Sequence, residues 1–229
     1  MTAPRSELLH VAEKIDRPWL VPVAPVCADV LLLMPLPVEA RSGPPGQRPQ
    51  GSMPRSPELS RRTRIVYPAD KTPELVLPDG SRRVVRSLLK ARGPLRHGDF
   101  IWHDEGVPSG RVWVRVDLGH QLLSVFRAGH EIGTAVILYG TRLKPTPPGI
   151  YPIMARARHH RSNLYDAEMP FMLRLTNDGV AIHASDVRAR AATHGCIGLP
   201  SAFARRLFEQ ARRGDLVIIE GVTSLSPQA

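Results

Sequence analysis

Near its C-terminal end the chain places two histidines and a cysteine in one short segment, and these residue types can carry out nucleophilic chemistry together. The segment reads VAIHASDVRARAATHGCIGLP and contains His183, His194 and Cys196. A thiol is a poor nucleophile until it is deprotonated, and a neighbouring imidazole can remove its proton. Gly195 lets the backbone approach a substrate carbonyl, and backbone N–H groups in such a turn can stabilise an oxyanion. The segment thus offers a nucleophile, two candidate bases and an oxyanion donor.

The same residues allow two other interpretations. Cys196 could be a small buried residue, as most free cysteines are, and each histidine could be a satisfied polar residue at a strand end. A zinc site built from His183, His194 and Cys196 with His159 or His160 is a further alternative. Against zinc, the histidine and cysteine of the THGC sequence are only two positions apart, and the chain has no HExxH motif. The pattern therefore favours a site without a metal.

The elements that must position these residues are mostly short strands. Valines alternate with polar and aromatic residues from Arg111 to Leu118, which is typical of a half-buried strand that begins an antiparallel meander. An Asn-Asp-Gly turn predicts a hairpin that carries His183 at its end. In chain order the predicted strands are Arg111–Leu118, Gln121–Arg127, His130–Leu138, Ile150–Met154, Met169–Thr176, Val180–Ala184 and Asp215–Glu220.

One helix is predicted between the cysteine and the last strand. Its apolar residues recur at helical spacing from Phe203 to Ala211, while arginines face away from them. Ser201 is the expected N-cap and Gly214 the expected C-cap. The fold class predicted from these patterns is mainly β with one short helix packed beside the strands.

The chain changes character before this region. Eleven of its 23 prolines lie in the first 60 residues, and Arg41–Arg62 is too rich in Pro, Gly, Ser and Arg to bury a core. The apolar run Val30–Pro37 could belong to a signal peptide, but acidic residues such as Glu7 and Glu13 precede it, so the export signal is atypical. We expect a leader with a disordered linker over 1–62, a lead-in segment with a few strands or one short helix over 63–105, and a catalytic domain over 106–222.

Composition excludes several other classes. The 229 residues suffice for one hydrophobic core, and the two cysteines, Cys27 and Cys196, cannot build a disulfide scaffold. No apolar run is long enough to span a bilayer. The formal charge of +10 admits an anionic partner. No helix-turn-helix, zinc-finger or RNP-like motif accompanies that charge, so we expect no nucleic acid partner.

Four segments of the chain resemble the YkuD-type L,D-transpeptidases. THGCIGLP, with VAIHA before it, resembles the family's active-site motif, in which a histidine precedes a Ser/Thr-His-Gly-Cys sequence. The family's opening strands resemble RVWVRVDLGHQLLSVFRAGHEIGTAVI, its TPxGxF/Y loop and strand resemble KPTPPGIYPI, and its closing strand resembles DLVIIE. The resemblance runs from about Arg111 to Gly221 and keeps the family's order.

This resemblance implies a YkuD-like β-sandwich and a cysteine acyltransferase mechanism without metal or cofactor. Cys196 would be the nucleophile and His183 the general base. Thr193, which we expect to contact substrate, would shape the motif together with His194 and Gly195. Backbone N–H groups near Gly195 and Cys196 would form the oxyanion hole.

The resemblance also implies the substrate, a peptidoglycan tetrapeptide stem cleaved between its third and fourth residues. An amine of a second stem would resolve the thioester and give a 3→3 crosslink. The polar stretch Arg156–Phe171 could be a lid in which Tyr165 and Arg161 touch the donor peptide, or an ordinary solvated loop. We further expect acylation by carbapenem-type inhibitors, a monomer without a stable membrane span, and a place in the periplasm or cell envelope.

Two other functions stay open at this point. Water in place of the amine would make the enzyme an L,D-carboxypeptidase or murein hydrolase. A non-catalytic wall-binding domain would use the basic surface alone. Two positions also depart from the family's pattern: Ala184 stands where Gly or Ser often follows the base, and Gly198 stands where Arg or Asn is frequent. The second departure puts a carboxylate contact at that position in doubt.

Overall fold

A computed structural model describes residues 63–162 and 166–221 of the chain. The expectations for residues 1–62, including the leader, the linker and Cys27, lie outside the described residues, and so does Tyr165. Within the described ranges the fold is mainly β with one α-helix, as the sequence predicts.

Short strands account for most of the regular structure. A single-turn 3-10 helix, Ala69–Lys71, lies in the lead-in segment, and the α-helix α1 spans Ser201–Gln210. The strands are β1 (Arg64–Val66), β2 (Glu74–Val76), β3 (Arg82–Val84), β4 (Ser87–Leu89), β5 (Phe100–Trp102), β6 (Val112–Asp117), β7 (Leu122–Arg127), β8 (His130–Val136), β9 (Gly149–Pro152), β10 (Ala155–Ala157), β11 (Met172–Arg174), β12 (Ala181–Ala184), β13 (Ile197–Leu199) and β14 (Leu216–Glu220).

Two sheets contain almost all of these strands. The larger has the order β1-β4-β8-β7-β6-β14-β9, and β5 also pairs with β8. Within it, β6, β7 and β8 form the predicted antiparallel meander, and the closing strand β14 pairs in parallel with β6. The smaller sheet has the order β10-β11-β12-β13. Its β11–β12 pair is the predicted hairpin, although β11 is shorter than expected because Phe171, at φ +57°, interrupts the extended backbone.

The main core lies between the two sheets and the helix. It joins valines of β6 to apolar residues of β12 and β13 and to the buried face of α1. The predicted apolar stripe of the helix is confirmed, since Phe203, Ala204, Leu207 and Phe208 are buried. Each layer buries one apolar face against another, which gives the sandwich-like arrangement that the family resemblance implies.

The prediction that β6 is only half-buried is wrong. Trp113 and Arg115 lie on the face away from the main core, yet they are only 7% and 5% exposed. Residues of the lead-in segment cover that face with a second apolar cluster, in which Trp113 stacks on Phe126 with ring centroids 4.2 Å apart. The strand pattern gave no sign of this cover because the covering residues are distant in sequence.

Both predicted helix caps are also wrong. The N-cap is Pro200, with no side-chain cap hydrogen bond, and Ser201 is already helical. The ring of a proline holds φ near −65°, which sets the entry of the chain into the helix without a capping side chain. The C-cap is Ala211, whose ψ of 145° ends the helix. Gly214, at φ +80°, belongs to the following turn, where its N–H donates to the Ile153 carbonyl.

Buried polar contacts join the lead-in segment to β8. The guanidinium of Arg64 donates to the main-chain carbonyl of Glu131 at 2.5 Å, and it also donates to the His103 carbonyl. The carboxylate of Glu131 accepts a hydrogen bond from the Leu89 N–H at 2.8 Å. Because Glu131 is fully buried, the bond from Leu89 replaces water that its carboxylate lost on folding, and the bonds from Arg64 do the same for main-chain carbonyls.

A bidentate ion pair holds the parallel strands β6 and β14 together. Arg115 donates from Nε to Glu220 Oε1 at 2.9 Å and from an Nη to Oε2 at 2.6 Å. Both side chains are 5% exposed. Removing one partner from such a pair leaves the other as an unpaired charge in a low-dielectric interior.

We therefore expect Arg115→Met to lower the free energy of unfolding by about 3–5 kcal/mol. The double variant Arg115→Met/Glu220→Leu should recover part of that loss, because Glu220 no longer stays as an unpaired buried charge. Asp117, which is 3.4 Å from Arg115, keeps its contact with His120. The exposed pair Arg82–Glu74 supplies the control: Arg82→Met should cost less than about 1 kcal/mol. Urea denaturation of the three variants measures these values. Equal losses for Arg115→Met and Arg82→Met would contradict the expectation.

Candidate active site

The candidate nucleophile and base lie on neighbouring parallel strands. His183 is in β12, and Cys196 directly precedes β13. The register pairs His183 with Gly198, so Cys196, two residues earlier, is a diagonal neighbour of the histidine. Diagonal neighbours on adjacent strands have Cα atoms about 7–8 Å apart, within reach of a long or aromatic side chain. The fold thus brings the two residues together.

Both side chains lie on the face of the smaller sheet that points away from the main core. Strand residues alternate between faces, and Ile182 and Ile197 are core residues. Their neighbours His183 and Cys196 therefore occupy the opposite face. Cys196 packs there against a small apolar cluster that includes Met172. His183 and Cys196 are both only partly buried, so they are accessible to a substrate.

A single hydrogen bond fixes the tautomer of the histidine. His183 Nδ1 is 2.8 Å from the Ala184 main-chain oxygen. A carbonyl oxygen only accepts, so Nδ1 carries the proton and Nε2 has the free lone pair. Since a main-chain atom provides this contact, the departure at Ala184 from the Gly or Ser of the family pattern does not remove it. His183 is therefore oriented to accept a proton at Nε2.

Burial keeps both groups neutral. It lowers the pKa of His183, to which the charge of His160 also contributes, while the hydrogen bond to Ala184 acts in the opposite direction. Burial raises the pKa of the Cys196 thiol, and the nearby carboxylate of Asp178 raises it further, against a hydrogen bond with Ala181. At neutral pH the site therefore holds a thiol and a neutral imidazole rather than a thiolate–imidazolium pair.

The thiol of the resting site is directed at a main-chain carbonyl. Cys196 Sγ is 3.7 Å from the Gly179 oxygen, at the end of the hairpin turn that precedes β12. This is a weak hydrogen bond, because a thiol is a weak donor. Transfer of this proton to His183 would break the contact with the Gly179 carbonyl.

The segment before the cysteine is held in place by the chain that follows β8. Thr193 donates its N–H to the Tyr139 oxygen at 3.0 Å, and its own oxygen accepts from the Thr141 N–H at 3.2 Å. The Thr193 hydroxyl donates to the Cys196 oxygen at 2.5 Å. Thr193, expected to contact substrate, thus also braces the turn that carries the cysteine.

Thr146 has a structural role at the site that sequence reasoning missed. Its buried hydroxyl donates to the Gly195 oxygen at 3.0 Å and accepts from the Gly140 N–H at 2.9 Å. Packing here is close, since a Cβ on Gly140 would lie 2.1 Å from the Lys144 oxygen. The sequence of this segment predicts only a loop and a strand, yet its threonine joins the chain after β8 to the turn that precedes the cysteine.

Main-chain donors beside the cysteine are available for an oxyanion. Within residues 63–162 and 166–221, the N–H groups of Gly195 and Cys196 donate no hydrogen bond. Gly195 has φ +111°, a conformation that favours glycine and points the peptide groups of the turn differently from a regular strand. The local geometry is compatible with the predicted oxyanion hole.

The structure places the other candidate residues as follows. His194 is exposed in the loop. Arg161 is also exposed, and its guanidinium is paired with Asp166 at 2.6 Å and Glu168 at 2.9 Å, so a substrate carboxylate would have to displace one of them. In the part of the chain that the structure describes, no three His, Cys, Asp or Glu side chains form a group that could hold a metal ion.

Gly198 has no room for the Arg or Asn that is frequent at this position of the family. A Cβ there would lie 2.9 Å from the Ser185 Cβ and 3.3 Å from the Leu138 Cβ. Leu138 approaches because its main chain pairs with Gly198 on the side of β13 opposite β12. A carboxylate contact from residue 198 is therefore excluded by packing as well as by residue type.

We expect the pKa of the Cys196 thiol to lie above the ordinary cysteine value of about 8.5, because burial disfavours the thiolate. The rate of alkylation by iodoacetamide in a Cys27→Ser background, where Cys196 is the single cysteine, should follow that ionisation. Burial of this thiol shifts the titration upward, so the rate at pH 7 should be a small fraction of the rate at pH 10. A rate that is already constant between pH 6 and pH 8 would show a preformed thiolate instead.

Thr146→Val removes the bridging hydroxyl but keeps the shape of the side chain. The Gly195 carbonyl and the Gly140 N–H would then be buried without this partner, so the free energy of unfolding should fall by about 1–3 kcal/mol. Thr141→Val is the matched control, because the Thr141 hydroxyl accepts an exposed hydrogen bond from the Lys144 N–H. Thermal unfolding compares the two. A control variant as destabilised as Thr146→Val would argue against the bridge.

The comparisons with known proteins bear on the region that contains this site. Residues 111–219 match the family model for the YkuD L,D-transpeptidase catalytic domain. No curated protein matches the chain. A solved L,D-transpeptidase from Stackebrandtia nassauensis is 26% identical, with a TM-score of 0.47 over 52% of this chain. This chain covers 60% of that protein's length.

Two mycobacterial structures are also similar. An L,D-transpeptidase from Mycobacterium tuberculosis is 22% identical, with a TM-score of 0.45, 48% of this chain covered and 57% of that one. One from Mycobacterium smegmatis is 17% identical, with a TM-score of 0.45, 72% of this chain covered and 85% of that one. By the match of the family model and the active-site segment it contains, residues 111–219 form a catalytic domain of the YkuD L,D-transpeptidase family.

Proposed function

We propose that the protein is a peptidoglycan L,D-transpeptidase that forms 3→3 crosslinks through a cysteine thioester. The observation that carries the proposal is the pairing of β12 with β13, which sets His183 diagonally across from Cys196. The Nδ1 contact with Ala184 leaves His183 Nε2 free to act as a base. These features supply the nucleophile and the base of an acyl transfer within a domain of this family.

The first half-reaction forms the acyl-enzyme. The Cys196 side chain rotates away from the Gly179 oxygen, and its proton passes to His183 Nε2 as Sγ attacks the carbonyl between the third and fourth stem residues. The N–H groups of Gly195 and Cys196 stabilise the oxyanion of the tetrahedral intermediate. When the C–N bond breaks, His183 returns the proton to the departing amine of the terminal D-amino acid, and a thioester remains.

The second half-reaction releases the enzyme. An amine from a second stem attacks the thioester carbonyl and gives up a proton to His183. The C–S bond breaks, and the proton passes from the imidazole to the Cys196 sulfur, which restores the thiol. The new amide is the 3→3 crosslink. No metal or organic cofactor takes part in either step. With water in place of the amine, the same steps would release a tripeptide, which is the carboxypeptidase alternative.

We assign donor-peptide recognition to Thr193 and to the hairpin between β10 and β11. That hairpin is closed by main-chain bonds from Met169 N–H to the His160 oxygen at 2.7 Å and from Phe171 N–H to the Arg158 oxygen at 2.9 Å. His160 is near enough for its charge to lower the pKa of His183, so the hairpin lies beside the catalytic pair. Arg161, in this hairpin, would contact the donor stem, and we propose the same role for Tyr165.

The site of action follows from the substrate. Peptidoglycan lies outside the cytoplasm, so we assign the protein to the periplasm or cell envelope. We also propose that it acts as a monomer. None of the helices in the described residues is long and apolar enough to cross a membrane.

Intact mass measurement after incubation with a carbapenem tests the nucleophile. A β-lactam carbonyl should acylate Cys196 with a stoichiometric mass increase, and Cys196→Ala should show none. His183→Gln should slow acylation by roughly 10²–10⁴-fold, the range for loss of a general base. Cys27→Ser is the control that keeps full reactivity. A folded protein that forms no adduct would contradict the cysteine mechanism.

Product analysis with tetrapeptide muropeptides then identifies the acceptor. Crosslinked dimers with loss of the terminal D-amino acid support transpeptidation. Tripeptides without dimers assign the carboxypeptidase reaction. If neither product forms while the carbapenem adduct does, the chain acts on a different acyl donor.

A further inference from the structure

A basic cleft lies on the lead-in side of the larger sheet, outside the active site. Its volume is about 460 Å³, which is within the usual range for small-molecule sites. The cleft lies between β3 and the turn that joins β7 to β8, and none of the described residues that line it is acidic. The lining residues are Arg82, Arg83, Val84, Arg86, Pro108, Trp113, Ala128, Gly129 and His130.

The cleft carries more positive charge than its surroundings neutralise. Arg82 is paired with Glu74 at 2.7 Å. Arg83 donates to the main-chain oxygen of Arg82, and its charge acts on the Asp79 carboxylate without forming an ion pair. Arg86 makes no ion pair with a carboxylate in the described parts of the chain. Two guanidinium groups are thus left to bind an outside anion. A guanidinium presents a planar set of donors that suits phosphate and carboxylate oxygens.

Close packing holds one of these arginines in the wall of the cleft. A Cβ on Gly129 would lie 2.9 Å from the Arg86 Cγ and 3.0 Å from the Val84 oxygen, and Gly129 itself has φ +83°. The Arg86 N–H donates to the Gly129 oxygen at 2.7 Å. The aliphatic stem of Arg86 therefore lies against the glycine backbone, while its charged end is exposed to solvent.

The histidine at the edge of the cleft indicates a positive local field. His130 is 2.9 Å from the Ser87 hydroxyl through Nδ1. Burial and the charges of Arg64 and Arg86 lower its pKa. The imidazole therefore stays neutral at neutral pH, and the arginines provide the attraction for an anion.

The cleft and the active site are at opposite ends of the sheet. His130 begins β8, whereas Leu138, just beyond the end of that strand, pairs with Gly198 beside Cys196. Eight residues of extended chain span more than about 20 Å. A single group bound in the cleft therefore does not contact the reacting sulfur.

We propose that this cleft is a binding site for oxyanion groups, phosphate or carboxylate, carried on a polymer. Arg83 and Arg86 are its main ligands, and the partly neutralised Arg82 is a third. The site would hold the protein on an anionic polymer while leaving Cys196 accessible. The proposal does not depend on the reaction at the active site.

Calorimetric titration of the full chain with two polyanions tests the proposal. Linear polyphosphate probes phosphate binding, and poly-glutamate of matched chain charge probes carboxylate binding, both at about 0.15 M salt, where long-range attraction is screened. Arg83→Gln/Arg86→Gln should weaken binding by tenfold or more, since the variant loses the charge-assisted hydrogen bonds of two guanidinium groups. Cys196→Ala should bind as the unchanged protein does.

Arg205→Gln/Arg206→Gln is the matched control, because it removes the same charge from exposed positions of α1. It should weaken binding by less than about twofold. Preference for one polyanion supports the site and identifies its ligand group, and equal affinity supports a site that recognises oxyanions of both kinds. Absence of binding, or equal weakening by the two double variants, would overturn the proposal. Unchanged thermal unfolding of both variants confirms that they are folded.

Discussion

The site depends on one pairing, the parallel alignment of β12 and β13. This alignment sets His183 beside Gly198 and therefore diagonal to Cys196. A shift of the register by one residue would move one of the two side chains to the core face. The pairing is held from outside the two strands, because Leu138 bonds to Gly198 on the open side of β13. The chemistry thus rests on hydrogen bonds of the main chain.

Main-chain atoms also set the states of the reacting groups. The Ala184 oxygen selects the tautomer of His183, and the Gly179 oxygen receives the thiol of Cys196. Burial then disfavours charge on both side chains. A neutral pair avoids the cost of holding an ion pair in a partly buried site. In the proposed mechanism the proton moves as the sulfur attacks a carbonyl. Because a carbonyl group is the partner of His183, the side chain of residue 184 matters little to that contact, whereas residue 179 has φ +100°, which favours glycine.

Local patterns predicted what depends on local sequence. The meander, the hairpin, the apolar face of α1 and the closing strand follow from alternation, helical spacing and a turn signal. Contacts between distant segments escaped prediction. The alternation of β6 predicts Arg115 on a solvent-exposed face, but the lead-in segment covers that face. Thr146 donates a hydrogen bond to the Gly195 oxygen, 49 positions further along the sequence. The predicted caps of α1 were wrong because Pro200 and Ala211 set the two ends of the helix by their backbone conformation, without a capping side chain.

The pairing of β4 and β5 with β8 has a consequence for the integrity of the sheet. Those two lead-in strands occupy the side of β8 that faces away from β7. A fragment that began at the family match, residue 111, would leave β8 as an edge strand with unpaired N–H and C=O groups. It would also bare the apolar face that includes Trp113 and Phe126. Exposed edges of this kind template association between chains. The lead-in segment therefore protects the domain against self-aggregation.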